Sequence, residues 1–138
     1  MVMQIELENI TQYAKGVNVY IEGSVKAYPV GCEKFEEICV RWNEMLVGAH
    51  QMPAFGVSLH EDTLREMQKG VWAEFEFDGR FTSNEMSYEK LLVAVRPDWC
   101  AFNIIRYVEE QGYYGRCFHY NLGANDMSAF YKVLTDNK

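Results

Sequence analysis

Residues 71–79 read VWAEFEFDG, and this stretch decides the fold class. Apolar side chains at positions 71, 73, 75 and 77 alternate with the intervening ones, a pattern typical of a β-strand that buries one face. Asp78 and Gly79 follow directly and are a strong β-hairpin signal. A two-residue turn there would place Phe77 and Phe81 on opposite faces, whereas a three-residue loop would pair them. The register of this hairpin therefore stays open.

Alternating patterns on both sides of this stretch predict more strands. Downstream, we predict strands over 91–96, 100–108 and 113–122, joined by short connections and therefore arranged as an antiparallel meander. Upstream, the patterns at 3–7 and 17–21 predict two strands, with Gly23 as a bulge or bend in the second.

Helical periodicity appears in three places. Apolar residues at steps of three and four predict one amphipathic helix over 32–48, with Trp42 in its apolar stripe. Ser58 and Glu61 resemble a capping box for a short second helix. Asn125 or Asp126 is suited to cap a short C-terminal helix.

This order of elements predicts a single α+β domain over residues 1–138. We expect a curved antiparallel sheet of about six to seven strands, packed on one main amphipathic helix, with the short second and C-terminal helices beside it. The length of 138 residues, with 49% hydrophobic and 24% charged residues, is typical of one globular domain and argues against disorder.

The composition also narrows the partners and the compartment. A net charge of −7 with scattered basic residues argues against nucleic acid, and no apolar run is long enough to span a membrane. No signal-peptide pattern is found at the N-terminus, so we expect a cytoplasmic protein with reduced thiols. The four cysteines are Cys32, Cys39, Cys100 and Cys117.

The last predicted hairpin determines which reactive side chains share a face. A tight turn at 109–112 would pair Ile104 with Cys117 and Phe102 with His119, and would place Cys100 opposite Asn121. One face would then carry Cys100, Arg106, Tyr113, Cys117 and His119, and the other would carry Tyr107, Tyr114 and Arg116. We take these eight residues as candidate binding residues.

None of these candidates forms a complete catalytic or metal-binding set. Cys100, Cys117 and His119 supply two thiolates and one imidazole, one ligand short of a tetrahedral zinc site. We therefore predict no metal, no cofactor and no catalytic residue, and we lean towards a protein that is not an enzyme. Glu74 and Glu76 share a face of their strand, and we interpret them as its solvated side.

Two hypotheses about function follow from the 14% aromatic content and the predicted sheet face. The first is a non-enzymatic intracellular protein-binding or regulatory module, inhibitor-like, whose aromatic and Arg side chains contact a protein partner or a second copy in a homodimer. The alternative is a small-molecule-binding protein or enzyme with a pocket between the main helix and the concave sheet. A cavity of a few hundred Å³ would favour the alternative, and a flat exposed aromatic patch would favour the first hypothesis.

Overall fold

The computed structural model describes residues 3–54 and 56–136. The strands in this part of the chain are β1 (Met3–Gln4), β2 (Ala14–Ile21), β3 (Ser24–Pro29), β4 (His50–Met52), β5 (Val57–Ser58), β6 (Val71–Ser83), β7 (Met86–Val95), β8 (Ala101–Tyr107), β9 (Gly115–Arg116) and β10 (Phe118–Asn121). The helices are a 3-10 helix (Leu7–Gln12), α1 (Glu33–Met45), α2 (His60–Glu66) and α3 (Ser128–Thr135).

One large sheet dominates the architecture. Its strands follow the order β3-β2-β6-β7-β8-β10-β4 with antiparallel pairing throughout, and β1 adds to β6 in parallel. A separate two-stranded sheet consists of β5 and β9. The predicted α+β class, an antiparallel sheet with one main helix and short additional helices, is confirmed. None of the helices in the described ranges is long and apolar enough to cross a bilayer.

Helix α1 covers what we call the first face of the sheet. Trp42 is fully buried at its centre, and its ring lies 5.1 Å from Phe75, 5.7 Å from Phe102 and 5.3 Å from Phe130, centroid to centroid. Burial of an indole among three rings is worth several kcal/mol. Helix α1 begins at Glu33, and Cys32 is its N-cap, because the thiol of Cys32 accepts a hydrogen bond from Phe35 N at 3.4 Å.

The opposite side, the second face, is also covered. Trp72 and Leu92 project from β6 and β7 into a smaller apolar cluster with Met67 and Tyr113, which belong to the segments around α2 and β9. One helix cannot bury both faces of a sheet, so these segments supply the second cover.

The N-terminal prediction is partly wrong. The strand expected over 3–7 ends at Gln4, and Leu7 and Ile10 are buried three residues apart on a 3-10 helix. Gly23 is not a bulge within one strand. Glu22 and Gly23 have φ angles of 49° and 87° and form the turn between β2 and β3.

The hairpin signal at Asp78 and Gly79 does not produce a turn. Strand β6 continues through it with a register shift between Glu76 and Phe81, so the segment is a bulge and neither expected loop forms. The chain reverses instead at Asn84 and Glu85, whose φ angles of 49° and 65° match a type I′ turn. Asparagine tolerates this left-handed conformation well. The sequence did not indicate the turn, because Asn84 is followed by Glu85 and not by glycine.

The register expected for the last hairpin is wrong by one residue. Ile104 pairs with Phe118, and Asn103 pairs with His119. The reason is that the backbone of β9 pairs with β5 and not with β8, so β10 begins only at Phe118. Because a one-residue shift moves every side chain to the other face, His119 lies on the second face.

Neither predicted helix cap occupies the N-cap position of its helix. Ser58 does not cap α2; its hydroxyl donates to Tyr113 O at 3.0 Å. At α3, neither Asn125 nor Asp126 is the N-cap, which is Met127 and has no side-chain cap. Asp126 precedes it, and its carboxylate accepts from Ser128 N at 3.0 Å in a local turn.

Candidate functional site

A cleft of about 550 Å³ opens on the second face of the sheet. Ala94 on β7 lies directly beside Trp72 on β6, and Asn103 and His119 continue the sheet on β8 and β10. A methyl group between larger side chains leaves a depression in the sheet surface. Trp99 stands at its border on the connection between β7 and β8. We call this depression the cleft.

The polar side of the cleft is a cross-strand pair. His119 Nδ1–H donates to Asn103 Oδ1 at 2.7 Å, which fixes the orientation of both side chains. The amide nitrogen of Asn103 makes no hydrogen bond to any residue in 3–54 or 56–136, so its two N–H donors are unused within this part of the chain.

Trp99 gives the cleft an exposed aromatic surface. The side chain is 40% exposed, and the guanidinium of Arg96 lies 5.5 Å from the centroid of its ring. Two backbone hydrogen bonds fix the main chain of Trp99: its N–H donates to Arg96 O at 3.2 Å, and its carbonyl oxygen accepts from Met127 N at 3.0 Å. The indole is therefore a positioned surface on which a ring can stack.

Next to the cleft, the carboxylate of Glu74 is completely buried. It accepts hydrogen bonds from Asn18 Nδ2 at 3.1 Å, from Tyr20 OH at 3.1 Å and from Tyr113 OH. The solvated position expected for Glu74 is wrong, because Tyr113 and the α2 segment cover this part of the second face. Burial, and then the charge of Glu74, raise the pKa values of Tyr113 and Tyr20.

The far end of the second face is charged and more open. Glu76 accepts from Asn18 Nδ2 at 2.5 Å and lies 4.0 Å from Lys90 Nζ, while Lys90 also sits 4.8 Å from the ring centroid of Tyr107. Glu76 is partly exposed, as expected for the outer side of a strand. Glu76 and Lys90 therefore form a partly exposed ion pair, which contributes little to stability.

The eight candidate residues from the sequence lie in three places. Cys100 and His119 line the cleft. Tyr107 and Tyr113 contact each other at 4.9 Å over the buried Glu74. The remaining four lie near the β8–β9 contact: Arg106, Tyr114, Arg116 and Cys117.

The β8–β9 residues serve mainly to hold the backbone. The guanidinium of Arg106 donates to Arg116 O and to Ser87 O, each at 2.8 Å, and burial lowers its pKa. Cys117 is buried and its pKa is raised by burial, so it is a poor nucleophile. Tyr114, 48% exposed, is the most accessible aromatic of this group.

Sequence reasoning missed the cleft residues Trp72, Trp99 and Asn103. Once the register of β10 is corrected, the alternation of β8 puts Asn103 on the face of His119. The register of β10 depends on the pairing of Arg116 on β9 with Val57 on β5. No local sequence pattern links these two residues, so the sequence carried no signal for it.

Within the described ranges, no group of three or more His, Cys, Asp and Glu side chains is placed to hold a metal ion. Comparison with protein-family models, with curated proteins and with solved structures finds no match to this chain.

Proposed function

We propose that the protein binds a small organic molecule in the cleft on the second face of its sheet. The observation that carries this proposal is the cleft of about 550 Å³ with an apolar floor and one oriented polar pair, Asn103 and His119. Small-molecule sites typically have this volume and this composition, since apolar surface supplies affinity and a few polar groups supply orientation.

The proposal corresponds to the small-molecule alternative from the sequence, but at a different place. That alternative located the pocket between the main helix and the sheet, where Trp42, Phe75 and Phe102 fill the space. The cleft lies on the opposite face, and it contains two of the expected residues, Cys100 and His119.

The hypothesis of a protein-binding aromatic and Arg face receives less support. Tyr113 is buried against Glu74, and the guanidinium of Arg106 is held by two carbonyl oxygens. Tyr114 and Arg116 remain exposed. Two side chains make a smaller contact than the central aromatic cluster on which protein interfaces typically depend.

A neutral reporter dye tests the proposal. Nile red, whose emission rises in apolar surroundings, is titrated into the native protein and into Ala94→Phe, which fills the floor of the cleft with a ring. The matched control is Ala27→Phe, which adds the same ring to an exposed position of β3. We expect saturable binding to the native protein and to the control, and at least about tenfold weaker binding to Ala94→Phe.

The two variants also separate specific binding from damage to the fold. Both should unfold cooperatively in urea, which shows that the sheet is intact. Equal dye binding by the native protein and Ala94→Phe, or no saturable binding at all, would contradict the proposal.

A further inference from the structure

We infer that the ligand of the cleft is a flat, uncharged aromatic ring system that carries a hydrogen-bond acceptor on its edge, and that Asn103 recognises this acceptor. The inference rests on the proposed function and adds the chemical class of the molecule. It follows from the shape of the cleft, from its charges and from the unused donors of one amide.

The shape favours a flat molecule. Two indoles, Trp72 and Trp99, line the cleft together with the small side chains Ala94 and Ala101. Alanines let a planar ring approach the sheet closely, and a flat heterocycle can stack on the indole of Trp99, which is 40% exposed, beside the edge of the buried Trp72. A bulky or branched ligand would leave the exposed indole of Trp99 uncovered.

The charges favour an uncharged molecule. Among the described lining residues, Asp98 is the only carboxylate, and no Lys or Arg belongs to the lining. The nearest guanidinium on this border, that of Arg96, lies 5.5 Å from the centre of the Trp99 ring. An anion would meet Asp98, and a cation would meet Arg96, without a buried counter-charge for either.

The acceptor follows from the amide of Asn103. Its oxygen accepts from His119 Nδ1–H at 2.7 Å, so the bond to His119 determines that its nitrogen is the free end. Aromatic rings with an edge nitrogen or carbonyl supply an acceptor in the plane of the ring. Such an acceptor reaches an N–H donor while the ring face stacks on an indole.

Quinoline and naphthalene are a matched pair of probes for this inference. They have the same shape, are both uncharged at neutral pH, and differ in one edge nitrogen that accepts a hydrogen bond. Displacement of Nile red measures both affinities for the native protein, for Asn103→Asp and for Asn121→Asp. We expect quinoline to bind the native protein about fivefold more tightly than naphthalene, the factor that corresponds to one net hydrogen bond.

The Asn103→Asp variant removes both N–H donors and keeps an oxygen that accepts from His119, so the pair stays oriented. We expect the preference for quinoline to disappear in this variant. The control, Asn121→Asp, adds the same charge to a neighbouring exposed position whose side-chain oxygen accepts from Gly123 N at 2.8 Å. The preference should persist there.

The outcomes distinguish this inference from the proposed function. If both compounds displace the dye equally from the native protein, or if Asn103→Asp keeps the preference for quinoline, the recognition by Asn103 is wrong while the cleft remains a binding site. If neither compound nor the dye binds in a way that depends on Ala94, the proposed function itself fails.

Discussion

Tyr113→Phe tests how strongly the cover of the second face is attached to the sheet. The phenol donates to the buried carboxylate of Glu74, and the phenylalanine ring preserves the packing on Tyr107 at 4.9 Å and on His60 at 5.8 Å. The variant therefore removes one hydrogen bond to a charged acceptor and little else. Such bonds contribute about 1.5–3 kcal/mol, so we expect the free energy of unfolding to fall by about 2 kcal/mol.

Two donors remain on Glu74 after the substitution, the side chains of Asn18 and Tyr20, each at 3.1 Å. They keep the carboxylate from being left without partners, so the cost stays well below the 3–5 kcal/mol of breaking a buried ion pair. A loss of about 2 kcal/mol changes the folding equilibrium by roughly thirtyfold, which urea denaturation resolves easily.

The neighbouring Tyr114→Phe is the matched control, because its side chain is 48% exposed. We expect its effect to stay within about 0.5 kcal/mol. The same Tyr113→Phe change in a Glu74→Gln background should cost less, since the acceptor has lost its charge. Equal losses of stability in the two tyrosine variants, or a loss at Tyr113 that does not depend on Glu74, would show that the hydrogen bond to Glu74 does not hold the cover in place.

Three further predictions concern the turns, the core and the response to pH. Gly112→Ala should lower the free energy of unfolding by more than about 2 kcal/mol, because φ is +68° and a Cβ there would overlap the imidazole of His60. Gly79→Ala should lower it by only about 1 kcal/mol, because φ is +107° but no neighbour lies within 4 Å of the added Cβ. Equal losses in urea denaturation would contradict this prediction. Trp42→Ala should lose about 3–5 kcal/mol by thermal or urea unfolding, and a loss below 1 kcal/mol would show that this indole does not centre the core. Burial raises the pKa of Tyr88 from its ordinary 10 to about 12, so between these pH values the folded state keeps the phenol proton that the unfolded state releases. The free energy of unfolding should therefore fall as the pH rises from 10 to about 12, and it should fall less steeply in Tyr88→Phe. An identical alkaline profile for the two proteins would refute this cause.

The elements with long, regular patterns could be predicted from the sequence. The period of α1 identified Phe35, Ile38 and Trp42 as one buried stripe, and all three are buried. The alternation of β6 identified Ala73 and Phe75 as core residues in the same way. These patterns are reliable because one element alone creates them.

The candidate site could not be predicted in the same way, because it depends on contacts between distant segments. Glu74 has the pattern of a solvated residue, and it is buried only because Tyr113 arrives from a segment 39 residues further along the chain. His119 reaches the second face only because Arg116 pairs with Val57 and delays the start of β10. Local periodicity contains neither contact, and a shift of one residue was enough to exchange the two faces.

A titration of the ¹⁵N-labelled protein with quinoline, followed by amide and indole N–H chemical shifts, shows directly whether the cleft binds the ligand. We predict saturable shifts at Trp99, Asn103 and His119 and at the indole N–H of Trp72, with Tyr114 and the residues of α1 unchanged. Shifts centred on Tyr114 and Arg116, or shifts spread over the molecule without saturation, would contradict a ligand site in the cleft.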